Sequence, residues 1–215
     1  MKGRSGPSTP DDGADKGAIR IDEAAYRQVQ AIPKSGYTRA ERDRMIAGIE
    51  IGSLDGVKGY FNGNVEAEDW GSNVVNGKYT GLKWQCVEYV RRYYLVARSQ
   101  HLTHRGNASS WHTPGLADGG TTFDGLRQYV HSHGQSGPAS DGFTTRPQKG
   151  DVLVFGTGTF GHVVIVSEVT DDQVTFAQQN VPKEGFIGTV NMERNGQKWR
   201  LFKPGKHVRA LLRKN

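Results

Sequence analysis

Cys86 is the single cysteine among 215 residues, and its neighbours are those a nucleophilic thiol needs. It follows Lys83-Trp84-Gln85, and Val90, Tyr93, Tyr94 and Ala97 recur after it at spacings of three and four, a helical pattern. The thiol therefore falls in the first turn of a predicted helix, where unpaired N–H groups and the macrodipole favour an anion. Lys83 adds positive charge, and both influences raise the thiolate fraction. The Cys86 N–H, with the Gln85 side chain as a second donor, is placed to hold the oxygen of a tetrahedral intermediate. Without such neighbours a lone cysteine reads as a small buried apolar residue.

A thiol nucleophile needs a base. Seven histidines are available: His101, His104, His112, His131, His133, His162 and His207. His162 stands apart because it follows the loop Gly156-Thr157-Gly158-Thr159-Phe160-Gly161 and opens the strongest apolar strand pattern in the chain. A histidine there is held rigidly yet can face a cleft. Asp171-Asp172 turns this strand back on Val174–Asn180. A three-residue loop, Thr170–Asp172, pairs Val169 with Gln173 and sets Asn180 opposite His162, with Gln178 one step along on the same face. A slip of one residue brings Gln179 or Val181 there instead. The favoured register supplies an amide able to fix the imidazole tautomer. His101 and His104 have the spacing of a metal half-site but no acidic or cysteine partner nearby, so no metal and no other cofactor is expected.

Residues 1–20 hold almost nothing to bury and read as disordered. Ile21–Gln30 carries a weak helical pattern that Pro33 stops. Thr38 and Glu41 form a capping-box pattern before Met45, Ile46 and Ile49, predicting a short helix. Together residues 1–50 read as a disordered and helical N-terminal arm, and residues 51–215 as the catalytic domain. After a glycine-rich stretch come a helix over Trp84–Ala97 and a second over Phe123–His131. From Gly150 the period becomes two, predicting strands at Asp151–Phe155, His162–Val169, Val174–Asn180, Phe186–Met192, Lys198–Phe202 and Val208–Leu212. Helices followed by consecutive short strands predict an α+β fold, with N-terminal helices packed on a C-terminal antiparallel sheet.

Five blocks occur in order: Gly81-Leu82-Lys83-Trp84-Gln85-Cys86-Val87-Glu88-Tyr89-Val90-Arg91-Arg92; Gly106-Asn107-Ala108 with Trp111; Pro147-Gln148-Lys149-Gly150-Asp151-Val152; Gly161-His162-Val163; and Gln178-Gln179-Asn180. Over roughly residues 55–212 this set resembles the cysteine, histidine-dependent amidohydrolase/peptidase (CHAP) family. The first and last blocks are particularly similar to the amidase half of bifunctional glutathionylspermidine synthetase/amidase. The resemblance implies a papain-like α+β fold with Cys86 as nucleophile, His162 as base and Gln85 at the oxyanion. The third group, which the family draws from Glu, Asp or Asn, falls on Gln178, and the following Asn on Asn180. A neutral amide can orient imidazole but cannot neutralise imidazolium. Arg91 matches an arginine beside the catalytic groove, which makes it a substrate-binding candidate. Trp84, Trp111 and Phe160 are packing residues by type; one of them can wall the cleft, and Trp111 is carried as a substrate contact. Glu88 is expected to pair with Arg91 or Arg92 along the helix.

The substrate class implied is an amide of bacterial peptidoglycan peptides or a glutathione–polyamine conjugate. The net charge of +6 is uneven: residues 183–215 carry +7 and the rest −1, which suits a local anionic partner. No aromatic and basic module of a nucleic-acid binder is present, and no apolar stretch reaches the roughly 18 residues of a membrane span. The first residues lack a secretory pattern, so the expectation is synthesis in the cytoplasm and, for a wall hydrolase, export by a non-classical or contact-dependent route. An antibacterial toxin of this kind would have an immunity protein covering the Cys86 cleft. A catalytically weakened wall-binding module is the alternative that Gln178 suggests.

Overall fold

The computed structural model describes residues 18–33, 35–63, 70–131, 141–181 and 184–215. The expected disorder of residues 1–20 lies outside these up to position 17, and positions 19–21 form a strand. In chain order the elements are β1 (Ile19–Ile21), α1 (Glu23–Ala31), α2 (Arg39–Ile46), β2 (Glu50–Leu54), β3 (Val57–Tyr60), β4 (Ser72–Val75), β5 (Lys78–Leu82), α3 (Cys86–Ala97), β6 (Gly120–Thr121), β7 (Leu126–Val130), β8 (Val152–Phe155), β9 (His162–Val169), β10 (Gln173–Ala177), β11 (Ile187–Asn195), β12 (Lys198–Phe202) and β13 (Val208–Lys214). The capping box forms: the Thr38 hydroxyl accepts from the Glu41 N–H at 3.2 Å, and the Glu41 carboxylate accepts from the Thr38 N–H at 2.7 Å. Asp22 caps α1 in the same way through the Ala25 N–H.

The main sheet has eight strands in the order β12-β11-β10-β9-β8-β13-β7-β6, flanked by the three-stranded β1-β2-β3 and the hairpin β4-β5. Every pair is antiparallel. The central strands bury both faces, which is why Val152–Phe155 and Val163–Val166 are continuous apolar runs. On one face Val152, Val154, Val163 and Ile165 pack with Tyr89, Val90, Tyr93 and Tyr94 of α3. On the other, Leu153, Phe155, Val164 and Val166 join Phe176, Val190, Leu201 and Leu211. The sheet's ends curl toward each other around this second cluster, with the Leu201 N–H donating to His131 Nε2 and Phe143 bridging Trp199. Mixed α+β architecture with helix against antiparallel sheet is what the patterning predicts.

Two expectations need correction. Phe123–His131 is not a helix: a single 3-10 turn at Phe123–Gly125 is interrupted by Asp124, whose φ is +53°, and Leu126–Val130 is a strand paired with β13. The apolar spacing there comes from alternation, with Leu126 and Gln128 buried on either side of the exposed Arg127. The β9–β10 turn is one residue longer than expected, since Val169 pairs with Val174. Thr170 stabilises that turn, its hydroxyl accepting from the Gln173 N–H. A bulge then absorbs the extra residue, and Phe176 and Ala177 lie opposite Val166 and Ile165. That is the register expected for the end near His162.

The N-terminal elements pack onto this body. Ile46, Ile51 and Leu54 share the core cluster of α3. The Phe186 ring lies edge-on to Tyr89, centroids 5.5 Å apart, against Gly52 of β2 and Gly59 of β3. The Tyr26 hydroxyl of α1 accepts from the Phe186 N–H at 2.6 Å. A Cβ on Gly59 would overlap the Phe186 ring. Gly59→Ala should therefore destabilise the fold by about 1–3 kcal/mol in denaturant unfolding, the usual cost of overpacking. The same change in a Phe186→Leu background should cost clearly less; equal costs in both backgrounds would contradict the clamp.

Candidate active site

Cys86 opens α3 after Gln85, the N-cap, which has extended backbone geometry. Its N–H is one of the first-turn groups that have no carbonyl partner within the helix. Across from it, Gly161 brings the loop before β9 against Ser109: a Cβ there would come within 2.7 Å of the Ser109 nitrogen, and the φ of +71° suits glycine. The Ser109 N–H donates to the Phe160 carbonyl at 2.8 Å. This closure sets His162, 8% exposed, at the start of β9. Cys86 and His162 both line one cleft of about 960 Å³, together with Gln85, Arg91, Phe160 and Asn180.

His162 Nε2 lies 3.1 Å from Gln178 Oε1, and Gln178 Nε2 donates to the Gly185 carbonyl at 3.2 Å. A carbonyl can only accept, so the Gln178 amide is fixed with its oxygen toward the ring. His162 Nε2 is therefore the protonated nitrogen, and Nδ1 carries the lone pair that a base needs. The same contact explains an amide at this position, because a carboxylate would face the Gly185 carbonyl acceptor to acceptor. Burial pushes the His162 pKa down from 6.5 to about 4; the Gln178 bond opposes this, Lys206 adds to it, and Glu184 opposes it.

Asn180 does not orient His162. Its Nδ2 donates to Gln85 Oε1 at 2.7 Å, and its Oδ1 accepts from Asn62 Nδ2 at 2.7 Å. Gln179 points away from the histidine, its Oε1 accepting from the Tyr60 N–H and its Nε2 donating to Glu88 Oε2 at 3.1 Å. Glu88 is fully buried and pairs with Arg92, Nε to Oε1 at 2.7 Å. Asn73 and Thr80 also donate to it. Arg91 lines the cleft, but its guanidinium is anchored to the Leu102 and Tyr79 carbonyls at 2.9 and 2.8 Å. Trp111 is placed elsewhere: it is fully buried in the core with its ring edge-on to Phe123 and does not line the cleft, so it is not a substrate contact. Phe160, 57% exposed, is the aromatic on the cleft wall. Lys83 sits over the Trp84 ring, 5.8 Å from its centroid.

Asn62, and the contacts that Gln179 makes with Glu88 and Tyr26 with Phe186, escaped the sequence reading, since a single polar contact between distant segments carries no periodic signal. Among the described residues no group of three or more His, Cys, Asp and Glu side chains could hold a metal ion, and no helix is long and apolar enough to cross a membrane.

Cys86 from the start of a helix and His162 from the start of a strand thus face one cleft, and the family comparison places this region in a hydrolase class. Residues 76–180 match the CHAP domain, which implies an amidase- or peptidase-type hydrolase. Over 113 residues, 49% of the chain, the protein is 35% identical to glutathionylspermidine synthase of Crithidia fasciculata, and it spans 14% of that relative's length.

The depressed His162 pKa has a thermodynamic consequence. The folded protein keeps this ring neutral while the unfolded chain protonates it, so the unfolded state binds more protons between pH 6.5 and about 4. Stability contributed by this group is present above pH 6.5 and falls as pH drops through that window, by about 3 kcal/mol in all. Unfolding titrations of wild type and His162→Gln should diverge by about this amount from pH 7 to 4; parallel curves would mean that the ring titrates normally.

Proposed function

We propose that the protein is a cysteine-dependent amidase or endopeptidase that cuts amide bonds in carboxylate-bearing peptides, with peptidoglycan stem peptides as the first candidate. The observation that carries this reading is the presence of Cys86 and His162 in one cleft, with His162 Nδ1 left as base by the Gln178 bond. Cys86 Sγ attacks the carbonyl carbon while its proton passes to His162 Nδ1, and the Cys86 N–H and Gln85 Nε2 hold the developing oxyanion. His162 then protonates the amine nitrogen as the C–N bond breaks, leaving a thioester. Water attacks the thioester, giving its proton to His162, which returns it to Sγ as the C–S bond breaks. The low pKa of His162 favours a neutral thiol–imidazole pair at rest, in which proton transfer accompanies attack.

The acidic-substrate preference rests on the cleft's charge. Arg39, Arg91, Arg105 and Lys206 line it against Glu88 and Glu184. Glu88 is committed to Arg92, and Glu184 to Lys206 at 2.7 Å. A glutathione–polyamine amide is the second reading, favoured by the relative's name; its glutathionyl half is also acidic. Delivery outside the cell, with an inhibitor protein seated over the cleft, belongs to the first reading.

Purified muropeptides and glutathionylspermidine, incubated with the protein and read by mass spectrometry, decide between these. New amine and carboxylate termini are expected from one substrate. Cys86→Ala and His162→Ala should each lower the rate at least about 10³-fold while keeping cooperative unfolding. Turnover that survives Cys86→Ala would end the proposal, as would intact substrates throughout.

A further inference from the structure

Asn62 follows β3 in the chain and is 2% exposed. It joins a directed chain of amides that ends at the oxyanion donor. The Trp84 N–H donates to Asn62 Oδ1 at 3.1 Å. Asn62 Nδ2 donates to Asn180 Oδ1 at 2.7 Å, and Asn180 Nδ2 donates to Gln85 Oε1 at 2.7 Å. A backbone N–H can only donate, so the first link fixes Asn62, Asn62 fixes Asn180, and Asn180 fixes Gln85. Each amide is thereby locked with its nitrogen toward the site, and Gln85 enters the cleft with Oε1 already committed as acceptor. Asn180 holds its place with φ at +66°, a conformation that Asn tolerates better than most residues. The Asn62 main-chain carbonyl in turn accepts from Trp70 Nε1 at 3.0 Å.

We propose that Asn62 is a positioning residue for acyl transfer: by setting the polarity of the Asn62–Asn180–Gln85 chain it presents the Gln85 NH2, and not its carbonyl, to the oxyanion. The proposal rests on the reading of Cys86 as an acyl-accepting nucleophile. Reversing the polarity at its source should turn the end of the chain round. In Asn62→Asp the carboxylate still accepts from the Trp84 N–H but has no N–H to give Asn180. Asn180 then donates to that carboxylate and turns its oxygen to Gln85, which must turn its own oxygen to the site.

Two reactions of Cys86 separate this role from a structural one. Acylation by p-nitrophenyl acetate passes through an oxyanion; alkylation by iodoacetamide does not. Asn62→Asp should lower the saturating acylation rate constant, read as nitrophenolate released, about 10²-fold. Iodoacetamide alkylation at the same pH should stay within about twofold of wild type, and Asn62→Ala should fall between wild type and Asn62→Asp in acylation. If Asn62→Asp does not fold, a selective acylation loss in Asn62→Ala carries the test. Equal loss in both reactions would assign Asn62 a merely structural role, and unchanged acylation would remove the relay; either overturns the proposal. A wild-type protein that iodoacetamide alkylates but the ester does not acylate would overturn the acyl-transfer reading itself, and the relay with it.

Discussion

One buried carboxylate holds the site together. Glu88 lies two residues into α3 from Cys86 and is fully buried. It is satisfied by Arg92 from its own helix, Asn73 and Thr80 from the β4–β5 hairpin, and Gln179 from the segment after β10. Arg92 reaches on to the Lys58 carbonyl, and Gln179 to the Tyr60 N–H and the Gln85 carbonyl. The helix of Cys86, the strand that precedes Asn62 and the segment that carries Gln178 and Asn180 are thus tied to a single anion. Removing one partner from a buried pair costs about 3–5 kcal/mol, because the remaining charge has no solvent to turn to. The interaction contributes less to net stability than to geometry: it fixes the register between elements that must agree to within a hydrogen bond.

From that anchor two arms extend. One passes through Asn62 and Asn180 to Gln85, the other through Gly185 and Gln178 to His162. The N-terminal strands and α1 support the second arm by gripping Phe186, the residue after Gly185. The first arm fixes a donor, and the second fixes an acceptor. Both work by the same rule, that a backbone group which can only donate or only accept orients the side-chain amide facing it.

Much of this was legible in the residues. Cys86 at a helix start and His162 at a strand start each lie where an apolar pattern begins, and the strand boundaries of His162–Val169 and Lys198–Phe202 follow from that pattern and the turn residues that bound it. The expected register set Asn180 opposite His162 with Gln178 one step along, and it is the folded chain that gives the ring to Gln178. Its register survived a miscounted turn only because a bulge in β9 compensates, and no pattern in Ser167 or its neighbours announces that. Phe123–His131 misled because a short strand with a buried Gln128 and a helix share spacings over so few residues. Trp111 lies in one of the five blocks that carry the family resemblance, yet burial decides its role, and burial is not written in a residue type. Asn62 lies 24 positions before Cys86 in a loop, and only the folded chain brings it to Gln85.

The central claim is that His162 is a neutral ring with its lone pair on Nδ1, ready to take the Cys86 proton. Long-range proton–nitrogen NMR of the His162 side chain, followed over pH, observes tautomer and titration directly. The account requires an Nε2–H imidazole at pH 7 that protonates only near pH 4. An Nδ1–H ring, or one that titrates near the ordinary 6.5, would contradict it.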